Sequence, residues 1–375
     1  MGHQNRKSGV ELIKILSVVL IALCHAVPEN PFTLANGLTY IDGTATDVPQ
    51  FIAVSFIGGA GLIGDVIFIV CSSWFLLDSK KISVSKIATM ILNVLIISLI
   101  FMSVILALGY KLTPMTIVKQ VFPTIFQNNW FISYYIVFYL LHPLFNLIIE
   151  KLDKLTLGIA AALLFFHCSI LLYALGAAPS TNKFLCFVNI YFVVAYFKKY
   201  GQKACASKKL NVILCISSAV LYIALRLLLN YLGLKIDYLH DRMLGYVHIH
   251  CPLLIVFSLS LFNLANASTW HNKTVNYLSS LSLLIYIIHH NNLFAEYIQP
   301  MWYPFFLEAV GENYFVLSVL TLGVIYFVGS VILASAYRFS IEILVKKLSG
   351  KIELGVMKII DKIKKSRNRG QQITL

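Results

Sequence analysis

The sequence predicts an all-α polytopic membrane protein with about ten transmembrane helices and both termini in the cytoplasm. Three observations carry that expectation. Of 375 residues, 59% are hydrophobic and only 12% charged, with a mean hydropathy of +0.80, whereas soluble domains are about 45–50% apolar and 25% charged. Apolar runs near twenty residues recur along the chain, each long enough to cross a hydrocarbon core of roughly 30 Å. Lysine and arginine are concentrated in alternate loops, the positive-inside pattern.

Ten spans are expected near 10–28, 52–77, 87–109, 130–149, 156–178, 184–197, 210–233, 243–262, 275–298 and 315–337. The run at 184–197 is short, and that at 52–77 is long and broken by glycines. Arg6 and Lys7 precede the first span as in a signal peptide. No A-x-A-like cleavage site follows, and Leu23 before Cys24 does not suit a lipoprotein signal, so the span is expected to be retained. The loops expected inside carry Lys80, Lys81 and Lys86, then Lys151 and Lys154, then Lys198, Lys199, Lys203, Lys208 and Lys209, and the tail after Arg338. Intervening loops hold only Lys111, Lys119, Lys183, Lys235 and Arg242. The net charge of +14 is therefore a topology signal and implies no nucleic acid partner.

Two domains are expected: a transmembrane unit over 1–340 and a basic amphipathic cytoplasmic tail over 341–375. In that tail Ile352, Val356, Ile359 and Ile363 share one face against lysines, which suits an anionic membrane surface. The seven cysteines show no C-x-x-C pair and no metal spacing, so neither a metal site nor a structural disulfide is expected.

The polar residues inside the spans pose the functional question, because an ionisable group at the bilayer centre costs roughly 2.5–3.5 kcal/mol on insertion scales. The stretch GVELIKILSVVLIALCHAVPEN holds Glu11, Lys14 and His25. Helical geometry puts Lys14 and His25 within about 20° of one another and about 16 Å apart along the axis. Glu11 precedes Lys14 by one turn and can pair with it. Lys14 could equally snorkel to the inner interface, and His25 could be satisfied by a neighbouring carbonyl. A second stripe in YLSSLSLLIYIIHHNNLF places Ser279, Ser282, Tyr286 and His289 or His290 on one face, with the histidines at about the depth of His25. Adjacent histidines on a helix point about 100° apart, so only one of the two is expected to face a shared site. In the fourth span Tyr135, Tyr139, His142 and Asn146 share a face, and His142 before Pro143 suits a carbonyl freed by the proline. Asp65 is a lone acid in a Gly-rich span, with Arg226 a candidate partner. His167 reads as a packing residue, while Asp241, Arg242, His248 and His250 cluster at an outer helix mouth.

A histidine in an apolar site can act as a general base, and acyl transfer to a hydroxyl needs such a base with an activated donor. There is no G-x-S-x-G elbow, no P-loop and no H-E-x-x-H, so direct transfer fits better than hydrolase chemistry. A proton-coupled transporter or glycan exporter would use the same residue types, and periodicity alone does not separate these readings.

Five segments, spread over about 9–337, resemble those of the integral-membrane acyltransferase family 3, bacterial enzymes that O-acylate surface glycans. Lys14 and His25 have the family spacing of a basic residue, ten residues and histidine, with Lys in place of the usual Arg. GDVIFIVCSSWFLLDSKK resembles a family segment in which a glycine stands at the position of Ser73. NNWFISYYIVFYLLHPLFN, FVNIYFVVAYFKKY and LSSLSLLIYIIHHNN are similar to three further segments, the last aligning His289 with the family histidine. The resemblance implies His25 and His289 in catalysis, and Lys14 with Glu11 as a donor-side or structural pair. Trp130, Tyr135, Tyr139, Tyr286 and Asp65 are the residues expected to line a substrate site. It further implies a bacterial plasma-membrane location, acetyl-CoA as acyl donor and no tightly bound cofactor. The partners to expect are a glycan acceptor (polysaccharide or lipid-linked oligosaccharide), membrane lipids, and glycan synthase or export machinery. Transfer of another acyl group, such as succinyl, is the alternative within the same chemistry.

Overall fold

A computed structural model describes residues 7–27, 48–171, 183–233, 235–236, 249–302 and 315–373, and the described residues contain helices and no strand. In chain order they are α1 Ser8–His25, α2 Val48–Gly58, α3 Ala60–Leu76, α4 Val84–Ala107, α5 Pro114–Val121 and α6 Trp130–Lys151. There follow α7 Lys154–Phe165 with a π-helical extension Phe166–Leu171, α8 Lys183–Tyr200, α9 Gln202–Ala206, α10 Lys208–Gly233 and α11 Pro252–Ala267. The last are α12 Lys273–Ser280, α13 Ser282–His289 with a π turn Phe294–Ile298 beyond it, α14 Phe315–Ser340 and α15 Glu342–Ile373.

Helix starts carry the expected chemistry. The side chains of Ser83, Thr113, Asp153 and Asn272 each accept a backbone N–H of the first turn they precede, and Pro114 takes the first position of α5. Among the described residues seven helices are long and apolar enough to cross a membrane. They match seven of the ten predicted spans. The other three are helical but differ from a plain span. α8 has lysines at both ends, α11 is short within its described part, and the predicted span at 275–298 is broken into α12, α13 and a π turn. One break has a visible cause. Arg338 at the end of α14 donates to both the hydroxyl and the carbonyl of Ser280 (2.5 and 2.6 Å), and that carbonyl is the one a continuous helix would offer to residue 284.

α1 is the central helix, packed against α3, α11, α12, α13 and α14. Its approach to α3 is close enough to require glycine: a Cβ on Gly64 would stand 2.4 Å from the Ser17 carbonyl oxygen. Small residues that let backbones meet are the usual device where lipid removes any hydrophobic drive between helices. The outward faces are correspondingly apolar, with Leu163, Ile216 and Ile332 all more than 60% exposed.

Loop contacts agree with the predicted topology. Lys198 pairs with Asp78 at 2.7 Å and Lys80 with Glu150 at 3.4 Å. The Lys7 ammonium donates to the Asn266 carbonyl at 2.6 Å, and Glu353 accepts from the Ser85 backbone N–H at 3.3 Å. These contacts join loops and tails that the charge pattern assigns to one face. α15 lies along the inner end of α4 and keeps Ile359 and Ile363 exposed.

Candidate active site

At the inner end of α1 the predicted pair forms. Lys14 Nζ is 3.3 Å from Glu11 Oε1, and the Ser279 hydroxyl donates to Glu11 Oε2 at 2.5 Å. Glu11 is 8% exposed, a burial that its two partners offset. Lys14 keeps a quarter of its side chain accessible and lies 5.9 Å from the Phe75 ring centroid. α1 and α12 are thus tied through Glu11, and a cation faces the inner mouth.

His25 ends α1. The last carbonyls of a helix lack intrahelical partners, and the Gln299 side chain donates to the His25 carbonyl at 2.9 Å. The His25 ring lies 5.2 Å from that of His289 and 4.1 Å from that of His290, centroid to centroid. The expectation that only one of the adjacent pair faces His25 is therefore corrected. α13 stops at His289, and His290 takes a non-helical conformation (φ −96°, ψ 29°), so the 100° step of a continuing helix does not apply. Asn129, just before α6, donates to the His290 carbonyl at 3.2 Å and holds this turn in place.

The tautomer of His289 follows from its partner. Its Nδ1 lies 2.7 Å from the Ile285 carbonyl oxygen; a carbonyl only accepts, so Nδ1 carries the hydrogen and Nε2 presents a lone pair. Nε2 of His289 and Nδ1 of His25 are buried with no hydrogen-bond partner among the described residues. Two unoccupied ring nitrogens in an apolar setting are a standing capacity to take or hold a proton.

Between the inner pair and the histidines lies a cavity of about 270 Å³, lined by Ile21, Asp65, Phe68, Ser72, Tyr135 and Tyr286 among others. Three of the predicted lining residues, Asp65, Tyr135 and Tyr286, meet there. Asp65 forms no ion pair with Arg226; no hydrogen bond or ion pair reaches it among the described residues. Arg226 instead lies over Gly59, where a Cβ would be 2.6 Å from its Cζ. The charge within electrostatic reach of Asp65 is Lys183, which also acts on His290 and sits 4.3 Å from the Trp130 ring centroid.

Other candidates sit elsewhere. Trp130 stacks edge-on with Phe131 outside the cavity lining, beneath Lys183. The Tyr139 hydroxyl accepts the Ser83 backbone N–H at 3.2 Å, at the inner face. His142 Nδ1 donates to the Tyr139 carbonyl at 2.5 Å, the acceptor that Pro143 leaves free, as the proline argument predicts. His167 is exposed on the outward side of its π turn. His250 is buried, while Asp241, Arg242 and His248 lie outside the described residues.

Sequence reasoning preferred His289 to His290 as the histidine facing the site, and gave Gln299 and Lys183 no part in it. The HHNN run carried the signal for His290, because two asparagines after a helical stripe mark a helix end. Gln299 and Lys183 carried none, since each acts across the fold.

A family model described as an acyltransferase domain matches residues 7–338. No curated protein matches the chain, and no solved structure does.

Proposed function

Because the chain belongs to the integral-membrane acyltransferase family 3, we propose that it moves an acetyl group from cytoplasmic acetyl-CoA to a hydroxyl of a cell-surface glycan. It is a membrane acyltransferase; the donor, the acceptor and a bacterial plasma-membrane location are the proposal. The observation that carries it is the convergence of His25, His289 and His290 beside a cavity that holds Asp65, Tyr135 and Tyr286, with Lys14 at the opposite, inner end.

In this reading Lys14, paired with Glu11, attracts the anionic donor at the inner mouth. The acetyl thioester reaches up the cavity toward the histidines. His25 takes the proton from the acceptor hydroxyl as its oxygen attacks the thioester carbonyl. The carbon–sulfur bond then breaks, and the proton passes from the imidazolium to the leaving thiolate. His289, fixed in orientation by the Ile285 carbonyl, supports the imidazolium through its Nε2 lone pair. The Tyr135 and Tyr286 hydroxyls are donors for the tetrahedral oxyanion, and such donors act strongly where water is excluded.

The test is the O-acetyl content of the host's surface glycan, by proton NMR before and after mild base. Wild type is compared with a deletion restored by the protein or by its His25→Ala form at matched membrane levels. Loss of a general base costs about 10²–10⁴-fold in rate, so deletion and His25→Ala should both lose ester and keep polymer. Ester retained with polymer missing from the surface overturns the reading in favour of export.

A further inference from the structure

A cavity of about 840 Å³ lies apart from the histidines and shares no lining residue with the one between Lys14 and His25. α7 packs on α8, and α10 on α11; the cavity separates these two pairs, and α9, which touches α8, α10 and α11, lies at its inner end. Its walls include Ile159, Phe165, Val193, Leu214, Ile255 and Leu259. Two amides on the wall are tied to each other and to α9. Asn211 donates to the carbonyls of Ala204, Cys205 and Ser207 and accepts from Asn263 at 2.9 Å. What remains for an occupant is apolar surface, in a volume typical of ligand sites. The opening faces sideways, where the lining residues Leu155, Ile159 and Leu210 are 72%, 51% and 39% exposed.

The inner lip carries the charge. α7 begins there with Lys154, itself in the lining, and α10 with Lys208 and Lys209, while Lys203 stands on α9; all four are exposed. Both helix starts add the positive end of a helix dipole. Asp153 spends a carboxylate oxygen on the Thr156 N–H at 2.7 Å, so the lip stays cationic, and no acidic residue lines the cavity. Hydrocarbon walls under a basic rim match a molecule with apolar chains and an anionic head. A soluble phosphate has no use for the walls, and a neighbouring apolar helix has none for the lysines. A choline head brings its own cation to the rim.

We infer that this groove holds one anionic phospholipid of the inner leaflet, its chains between α7 and α10 and its phosphate at Lys154 and Lys208. The inference is independent of the acyl-transfer reading. The lipid fills the space between the two helix pairs and so braces α11, which packs against α1.

The experiment uses the full chain in phosphatidylcholine nanodiscs with a trace of phosphatidylglycerol bearing a diazirine in its chain, photolabelled and mapped by mass spectrometry. Label is expected on Ile159, Phe165 or Leu259, and much less from the same probe with a choline head. A lysine near an anionic headgroup contributes about 1 kcal/mol, so Lys154→Gln with Lys208→Gln should cut the groove label about thirtyfold. Ala162→Phe and Leu214→Trp, which fill the groove from α7 and α10, should also remove it. Label on α15, which meets the same membrane surface, is the internal reference and should not change. The lysine variant alters only exposed side chains, so it decides the matter even where a filled variant misfolds. Equal groove labelling by the two heads, or a lysine variant labelled like wild type, overturns the inference. So does groove label unchanged in both filled variants, or an unlabelled groove in particles whose mass shows a second copy of the chain.

Discussion

His142 and His290 are both histidines on or beside membrane helices, and the difference between them is what each ring nitrogen meets. His142 spends Nδ1 on the carbonyl that Pro143 frees, so its task is local. The His290 ring stands 4.1 Å from that of His25, the residue proposed as general base. His290→Ala should therefore lower acetyl transfer about tenfold or more, within the range of acid–base and positioning effects. His142→Ala should leave the rate per folded molecule unchanged and cost about 1–3 kcal/mol of stability, the penalty for an orphaned buried carbonyl. Rates from radiolabelled acetyl-CoA in membranes, set beside melting temperatures in detergent, separate the two. A slower rate in His142→Ala at full folding would contradict this division. At this scale the Glu11–Lys14 pair was legible from a spacing of three. His290 was not, because a uniform 100° step was carried past the point where the helix ends.

α1 and α3 must lie almost in contact for Ile21 and Asp65 to share a cavity, and Gly64 is what permits it. Gly64→Val puts a side chain into the Ser17 carbonyl, 2.4 Å from the Cβ position. Overpacking of this kind costs about 1–3 kcal/mol, and here it pushes apart two helices that both line the cavity. A lower melting temperature together with loss of transfer is expected. Gly350→Ala is the control: its Cβ meets nothing within 4 Å, and a helical Gly→Ala change gains up to about 1 kcal/mol. Equal behaviour of the two variants in a detergent melt would remove close approach as the reason for Gly64. The break between α12 and α13 belongs to the same scale. Ser279 turns to Glu11 while Ser280 is held by Arg338, so consecutive serines are committed to two different helices.

Across the whole molecule the basic loops meet on one face, where Lys198 reaches Asp78 and Lys80 reaches Glu150. The same face receives α15, on which Leu354, Met357, Ile359 and Ile363 are exposed. An amphipathic helix with that stripe and a lysine face lies in the headgroup region. In proteoliposomes the tail should resist added trypsin when the vesicles contain anionic lipid. Ile359→Asp combined with Ile363→Asp should make it cleavable. Equal protection in the variant would mean that the contact with α4, rather than lipid, holds the tail.

The sequence by itself determined the all-α membrane class, seven of the spans, the Glu11–Lys14 pair and the common depth of His25 and His289. All of these follow from hydropathy, loop charge and the 3.6-residue period, which act within one segment or on whole loops. Only the tertiary structure decided that Asp65 faces Tyr135 and Tyr286 rather than Arg226, that His290 joins the histidine group, and that α7 and α10 frame an apolar groove. Those outcomes depend on where helices break and how closely they approach. Breaks and approaches are set by contacts between residues far apart in the chain, such as Arg338 with Ser280, Gln299 with His25 and Gly64 with Ser17.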